Sequence, residues 1–220
     1  MDKSVNWQKS NQSSTQRTYH KLRNEIITGK IPPGERLKVE SLKVSLDTGA
    51  SPVREALSLL TSDQLVERLD QRGFRVAETS QSQFKEILEL RCHLEELALR
   101  ESLKNTSQEW EDTLVLAHHH MTRASGGSAE KFEELHRAFH MALLDECNSP
   151  ILLRFCGQLY DLNVRYRNLA GKSKSYNRRD VEAEHNAILA AAIDRDFEEA
   201  SKLLMAHYRE TGAFLAELIP

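Results

Sequence analysis

The chain of 220 residues carries 30 Lys/Arg against 33 Asp/Glu, a formal net charge of −3, with 40% hydrophobic and 29% charged residues. This suits a globular protein of one or two domains and excludes a polycation, and no apolar run approaches the roughly 18 residues of a membrane span. Three cysteines without a CxxC pair, and a polar N-terminus lacking a secretory h-region, point to a reducing compartment, the cytoplasm.

Charge is uneven along the chain. Residues 1–78 hold 13 Lys/Arg and 10 Asp/Glu, net +3; the rest holds 17 and 23, net −6. The basic part is where a polyanion would bind. Residues 1–14 are rich in Ser, Asn, Gln and Lys and read as a flexible tail. From Thr15 the pattern is helical, with Tyr19, Leu22 and Ile26 on one face and Gly29 placed to end the helix. Ile31-Pro32-Pro33-Gly34 is a turn, because proline fixes φ and glycine tolerates the reversal. A short helix follows around Val39 to Leu46, with Leu42 and Leu46 expected on its inner face.

After Asp47-Thr48-Gly49-Ala50, Ser51-Pro52 reads as an N-cap followed by the first helical residue. The third helix then presents Val53, Ala56, Leu57 and Leu60 as its buried face. Glu67 to Val76 alternates around Gln71-Arg72-Gly73, a short hairpin. Helix, helix, turn, helix and hairpin describe a winged helix-turn-helix domain, here residues 15–78. The first turn of its third helix meets base edges in the major groove. Arg54 projects from that turn, and its planar fork matches guanine O6/N7 or a phosphate. A lone helix arginine is more often solvated; the surrounding frame is what favours a DNA contact. Arg72 and Gly73 read as a wing tip, with the plain alternative of an ordinary hairpin turn.

The Pro32-Pro33-Gly34-Glu35-Arg36-Leu37 turn, the Ser51-Pro52-Val53-Arg54-Glu55-Ala56-Leu57 helix and the Arg72-Gly73-Phe74 wing together resemble the GntR family of bacterial transcription regulators. The resemblance covers nearly all of the chain from Thr15. It implies Arg54 as a DNA contact, Ser51 near phosphate, and Arg72 and Gly73 in a wing entering the minor groove. Gly49 and Ala50 depart from the pattern, standing where many members have a hydroxyl residue and an arginine. The operator sequence therefore cannot be borrowed from relatives.

Beyond a linker at 79–83, six helical segments are expected, near 80–103, 107–124, 130–146, 150–168, 176–193 and 196–217, an all-α bundle over 84–220. Such bundles place ligand sites between facing helices. His136 and His140 lie four apart on one helical face, and His185 and His207 stand in two further helices. Together these imidazoles could converge on a divalent metal, although one such histidine alone is more often a surface or core residue. His118-His119-His120 point three ways and read as surface, and Glu130 to Glu134 as a solvated first helical turn.

From Phe84 onward the chain is similar to the FCD ligand-binding domain of the FadR-like subgroup, in a six-helix version resembling its VanR-type branch. The resemblance implies a metal held by Phe139-His140, His185 and His207, with His136 where an acidic or amide ligand usually stands. Four imidazoles favour zinc, nickel or copper, with zinc the default. In the stretch Glu89 to Glu95, Arg91 matches a family arginine that faces the pocket and could grip a carboxylate; the alternative is an ordinary pair with Glu95. Arg165 and Asn186 are further effector candidates.

An enzyme is disfavoured. Arg137 follows His136 where a zinc protease carries glutamate, and GxSxG, P-loop and GxGxxG motifs are missing. The expected molecule is a homodimeric regulator that binds a DNA operator, most simply a repressor, and is released by a small organic acid. A sensor of the metal itself is the alternative.

Overall fold

The computed structural model describes residues 12–70, 72–170 and 180–216. Most of the expected tail, residues 1–11, lies outside them. The chain divides into two units, Met1–Thr79 and Ser80–Pro220.

In the first unit, α1 spans Ser14–Ile27. Ser13 and Gln16 close a reciprocal capping box at its start, and Gly29, at φ 71°, follows its end. The strand β1 (Arg36–Leu37) precedes α2 (Val39–Ser45) and α3 (Ala50–Ser62), and β2 (Val66–Leu69) and β3 (Gly73–Val76) form the hairpin. The sheet is antiparallel in the order β1-β3-β2, with Leu37 opposite Phe74 on one side and Glu67 opposite Arg75 on the other. The hairpin matches expectation, whereas β1 was not foreseen: two residues are too few to show alternation.

Leu22 and Ile26 of α1 pack with the whole expected inner face of α3, Val53, Ala56, Leu57 and Leu60, all buried. Truncating one such leucine costs about 2–5 kcal/mol. Tyr19 donates to Asp63 Oδ2 at 2.6 Å and ties α1 to the end of α3. Leu42 and Leu46 are only half-buried, so α2 has a weaker inner face than its spacing suggested. Gly34 has φ 78°, and a Cβ there would lie 2.8 Å from a Glu78 carboxylate oxygen, so the turn needs glycine.

The second unit contains α4 (Gln81–Lys104), α5 (Gln108–Arg123), α6 (Ala129–Ala142), α7 (Pro150–Ala170), α8 (Val181–Ile193) and α9 (Phe197–Ala216). The helix α4 starts inside the segment read as linker, with Ser80 capping it through a bond from the Gln83 amide. The helix α6 stops at Ala142 rather than near 146, and a 3-10 turn at Asp145–Cys147 packs on α4. Leu143, Leu144 and Cys147 all bury there, and their spacing prolonged the helical signal past its end. The expected start of the fifth helix, 176–179, lies outside the described residues; α8 begins at Val181, capped by Asp180.

α4 packs against α7 and α9, α5 against α6 and α8, and α9 against α8. Leu99, Leu114, Phe139, Leu143, Ile188 and Leu204 lie in the shared core. All three cysteines are buried and free. No helix of the described residues is long and apolar enough to cross a membrane.

Candidate nucleic-acid interface and metal centre

The candidate reading face of the first unit follows from α3. With Val53, Ala56, Leu57 and Leu60 buried, the opposite side of that helix exposes Ser51, Arg54 and Ser58. The helix starts two residues earlier than the Ser-Pro pair suggested: Gly49 is the N-cap, and it makes no side-chain cap bond. Ser51 therefore lies within the first turn, where its hydroxyl donates to Glu55 Oε1 at 3.0 Å. Thr15 donates to the other oxygen of Glu55 at 2.8 Å, fixing α1 to α3 beside the exposed face. At the hairpin tip Arg72 is exposed. Gly73 has φ 90° with open space where a Cβ would stand, so its backbone conformation, not crowding within the unit, calls for glycine.

The second unit gathers the four expected histidines. His136 and His140 come from α6, His185 from α8 and His207 from α9. Each is buried, and one ligand atom from each lies within 4.8 Å of all the others. His140 Nε2 is 3.3 Å from His136 Nε2. Metal–nitrogen bonds of about 2.0–2.1 Å at tetrahedral angles place two ligand nitrogens roughly 3.3 Å apart. His185 Nε2 is buried with no hydrogen-bond partner among the described residues. An orphaned imidazole nitrogen costs about 1–3 kcal/mol unless something fills its lone pair. These two observations fit a bound cation, and all four are imidazole nitrogen donors suited to a borderline metal.

The outer atoms of the cluster are engaged. His136 Nδ1 lies 2.6 Å from the Tyr160 hydroxyl, which donates to Glu133 Oε1 at 2.8 Å. His140 Nδ1 lies 3.0 Å from the Tyr208 hydroxyl, which donates to Glu95. His207 Nδ1 lies 2.7 Å from Glu184 Oε2. Burial, then Arg167, keeps the pKa of His136 well below the ordinary imidazole range; for His140 the causes are burial, then His185 and His207. Burial, followed by His207 and His118, pushes His185 down to about 3. Near neutral pH these rings therefore carry lone pairs rather than charge.

Arg91 is buried beside the cluster. Its Nε donates to Glu95 Oε1 at 2.5 Å and its Nη1 to Asn163 Oδ1 at 3.1 Å. Its guanidinium lies 3.9 Å from the Tyr208 ring centre and 4.7 Å from that of Tyr160. Burial works against its charge, but Glu95 and Tyr208 outweigh this and raise its pKa. The Glu95 pair is thus present, though not as an exposed helix pair, and Nη2 is buried without a partner among the described residues. Arg165 is buried, but the arginine that reaches the histidines is Arg167: it pairs with Glu133 and its Nη1 lies 3.5 Å from His136 Nδ1. Asn186 is exposed and stands outside the buried cluster.

Two further expectations need correction. His118 is buried, its ring edge-on to Phe139 at 5.2 Å, while His119 and His120 are exposed. Glu133 is half-buried rather than solvated, because Tyr160 and Arg167 claim it. Sequence reasoning also missed Tyr160, Tyr208, Asn163, Arg167 and Glu184 around the site. The available signal was positional: Tyr208 adjoins His207, and Asn163, Arg167 and Tyr160 fall at three- or four-residue spacing along α7.

Comparison with known proteins covers both units. Residues 14–76 match the model of the bacterial regulatory proteins of the gntR family, and residues 86–210 match the FCD domain. The chain is 35% identical over 199 residues to an uncharacterised HTH-type transcriptional regulator, BphR, of Paraburkholderia xenovorans, spanning 86% of this chain and 80% of that one. It is 30% identical over 197 residues to the HTH-type transcriptional repressor GlaR of Escherichia coli, spanning 86% and 90%. Among solved structures, Escherichia coli McbR/YncC superposes with a TM-score of 0.83 at 25% identity, covering 94% of this chain and 99% of that one.

Proposed function

Because the chain belongs to the GntR family of bacterial regulatory proteins, with an FCD domain as its second unit, we propose that it is a metal-loaded repressor released from its operator by a small carboxylate. That it is a DNA-binding transcription regulator and not an enzyme follows from the family and from its named relatives. The finer reading rests on one observation: four buried histidines from three helices with their ligand atoms within 4.8 Å of one another.

In this reading Arg54 reads base edges, Ser51 meets phosphate, and Arg72 and Gly73 carry the wing into the minor groove. His136, His140, His185 and His207 hold a divalent ion, with zinc first among the candidates. The ion, when bound, offers an anion a positive partner. Arg91 supplies the second grip, through the one guanidinium nitrogen that has no hydrogen-bond partner among the described residues. Repression is favoured because GlaR is a transcriptional repressor. A homodimer matches the two half-sites of a pseudo-palindromic operator, and Leu90 and Leu97, both exposed on α4, suit a face covered by a second copy.

The test is elemental analysis of protein purified without chelators, beside His140→Ala and His185→Ala. Near-stoichiometric metal that disappears in both variants is expected, and wild type without metal overturns the metal centre. Mobility shifts on operator DNA with a panel of organic acids then test release. An acid that tightened DNA binding would reverse the assigned sign. Release by metal alone would favour the second reading, a sensor of the ion.

A further inference from the structure

The four histidines are not held alike, and the difference lies in two matching side-chain chains. One runs Arg91–Glu95–Tyr208–His140: a 2.5 Å ion pair, a hydroxyl donated to the carboxylate, and that hydroxyl 3.0 Å from Nδ1. The other runs Arg167–Glu133–Tyr160–His136: an ion pair, a 2.8 Å donation to the carboxylate, and a 2.6 Å contact to Nδ1. Their members come from different helices. Arg91 and Glu95 sit on α4, Tyr160 and Arg167 on α7, Tyr208 on α9, and Glu133 with both histidines on α6.

Hydrogen-bond arithmetic fixes the protons. A carboxylate paired with arginine accepts and cannot donate. The tyrosine hydroxyl has one proton, and the carboxylate takes it. The oxygen can then only accept from the imidazole, so Nδ1 of the histidine carries the ring proton. The lone pair is left on Nε2. Arg167 Nη1, at 3.5 Å from His136 Nδ1, is the rival donor there, but the 2.6 Å tyrosine contact is far shorter and decides the tautomer. Both Nε2 lone pairs then face each other across 3.3 Å with no proton between them.

We propose that Tyr208 and Tyr160 are positioning residues of the metal centre, each using its arginine-held glutamate to lock a histidine in the tautomer and orientation that present Nε2 to the ion. This rests on the metal reading above and adds residues that build the centre without touching the ion. Removing such an outer hydrogen-bond partner typically costs 10–100-fold in metal affinity.

The test uses the full-length protein stripped of metal, with Co²⁺ as a spectroscopic probe and Zn²⁺ measured by competition against a chromogenic chelator. The variants are Tyr208→Phe, Tyr160→Phe and the pair. Phenylalanine keeps the ring beside Arg91 and removes only the hydroxyl. Circular dichroism establishes that each variant retains its helices, and because the two tyrosines lie on different helices, one variant suffices if the other does not fold. The expected result is a 10–100-fold loss of affinity in each single variant, with altered visible Co²⁺ absorption. A merely structural role would lower stability and leave the Co²⁺ spectrum unchanged. Wild type that binds Co²⁺ with both single variants within twofold of it overturns this inference and leaves the metal centre standing. Wild type that binds neither ion overturns both.

Discussion

Acid should undo the second unit when it holds no metal. In the unfolded chain each imidazole protonates near pH 6.5; in the folded chain burial holds His185 down to about 3, and His136 and His140 well below the ordinary value. A folded value below the unfolded one means the stability is present above about pH 6.5 and is lost as pH falls towards the folded value. Between pH 7 and pH 5 the unfolded imidazole gains about 0.7 of a proton that the folded one refuses, a loss of about 2 kcal/mol for His185. His136 and His140 shift in the same direction and add to this loss, which weighs against the roughly 5–15 kcal/mol that holds an ordinary domain together. The chain has two tryptophans, and Trp110 is buried in the second unit, its Nε1 donating to the Ala142 carbonyl at 2.8 Å. A Trp7→Phe variant therefore makes fluorescence report that unit alone. Urea denaturation of this variant, chelator-treated, at pH 7, 6 and 5 gives the free energies. Added zinc should raise the midpoint at pH 7 and lose that effect towards pH 5, since protons and metal compete for the same lone pairs. Chelated protein whose stability varies by less than about 1 kcal/mol across this range would refute the reasoning, since even one neutral buried imidazole contributes more.

Arg54→Ala should lose about 1–3 kcal/mol of discrimination between operator and mismatched DNA in competition binding, and unchanged selectivity would limit Arg54 to phosphate or solvent. Ser51→Ala should change stability by less than about 0.5 kcal/mol, because Gly49 and not Ser51 caps α3; a drop of about 1 kcal/mol or more in thermal unfolding would restore the cap assignment. Gly34→Ala should cost the first unit about 1–2 kcal/mol through the left-handed backbone at φ 78° alone, with crowding against Glu78 added, and a neutral result in denaturation would refute the strain.

Much of this was legible in residue order. The buried face of α3 was read in full, because Val53, Ala56, Leu57 and Leu60 repeat at helical spacing and nothing competes for them. The four histidines were legible because two share a face of α6 and the other two match the family pattern, which also supplied the convergence that spacing alone leaves open. Their supporting residues were not. Tyr160, Tyr208, Glu133 and Arg167 look like ordinary polar positions until three helices bring them together, and hydrogen bonds across 24 to 113 residues leave no periodic trace. Arg91 shows the limit from the other side. Its spacing to Glu95 offers an ordinary ion pair as the alternative to a pocket role, and the pair forms, but in a buried setting that spacing cannot specify. The start of α3 was misread because Ser-Pro is a strong local signal, while the true cap, Gly49, contributes no side chain.

The two-residue strand β1 has a consequence for how this regulator can respond. Arg36 and Leu37 pair with β3, the Gly34 amide donates to the Val76 carbonyl, and the Val76 amide donates to Glu35. The wing is therefore a cantilever clamped at its root by the turn that follows α1, and bending it away from α3 would break this sheet. A signal from the second unit would then act on the reading head as a whole instead of reshaping it. Operators selected with and without effector should differ in the spacing or phase of their half-sites, while the bases preferred within each half-site stay the same.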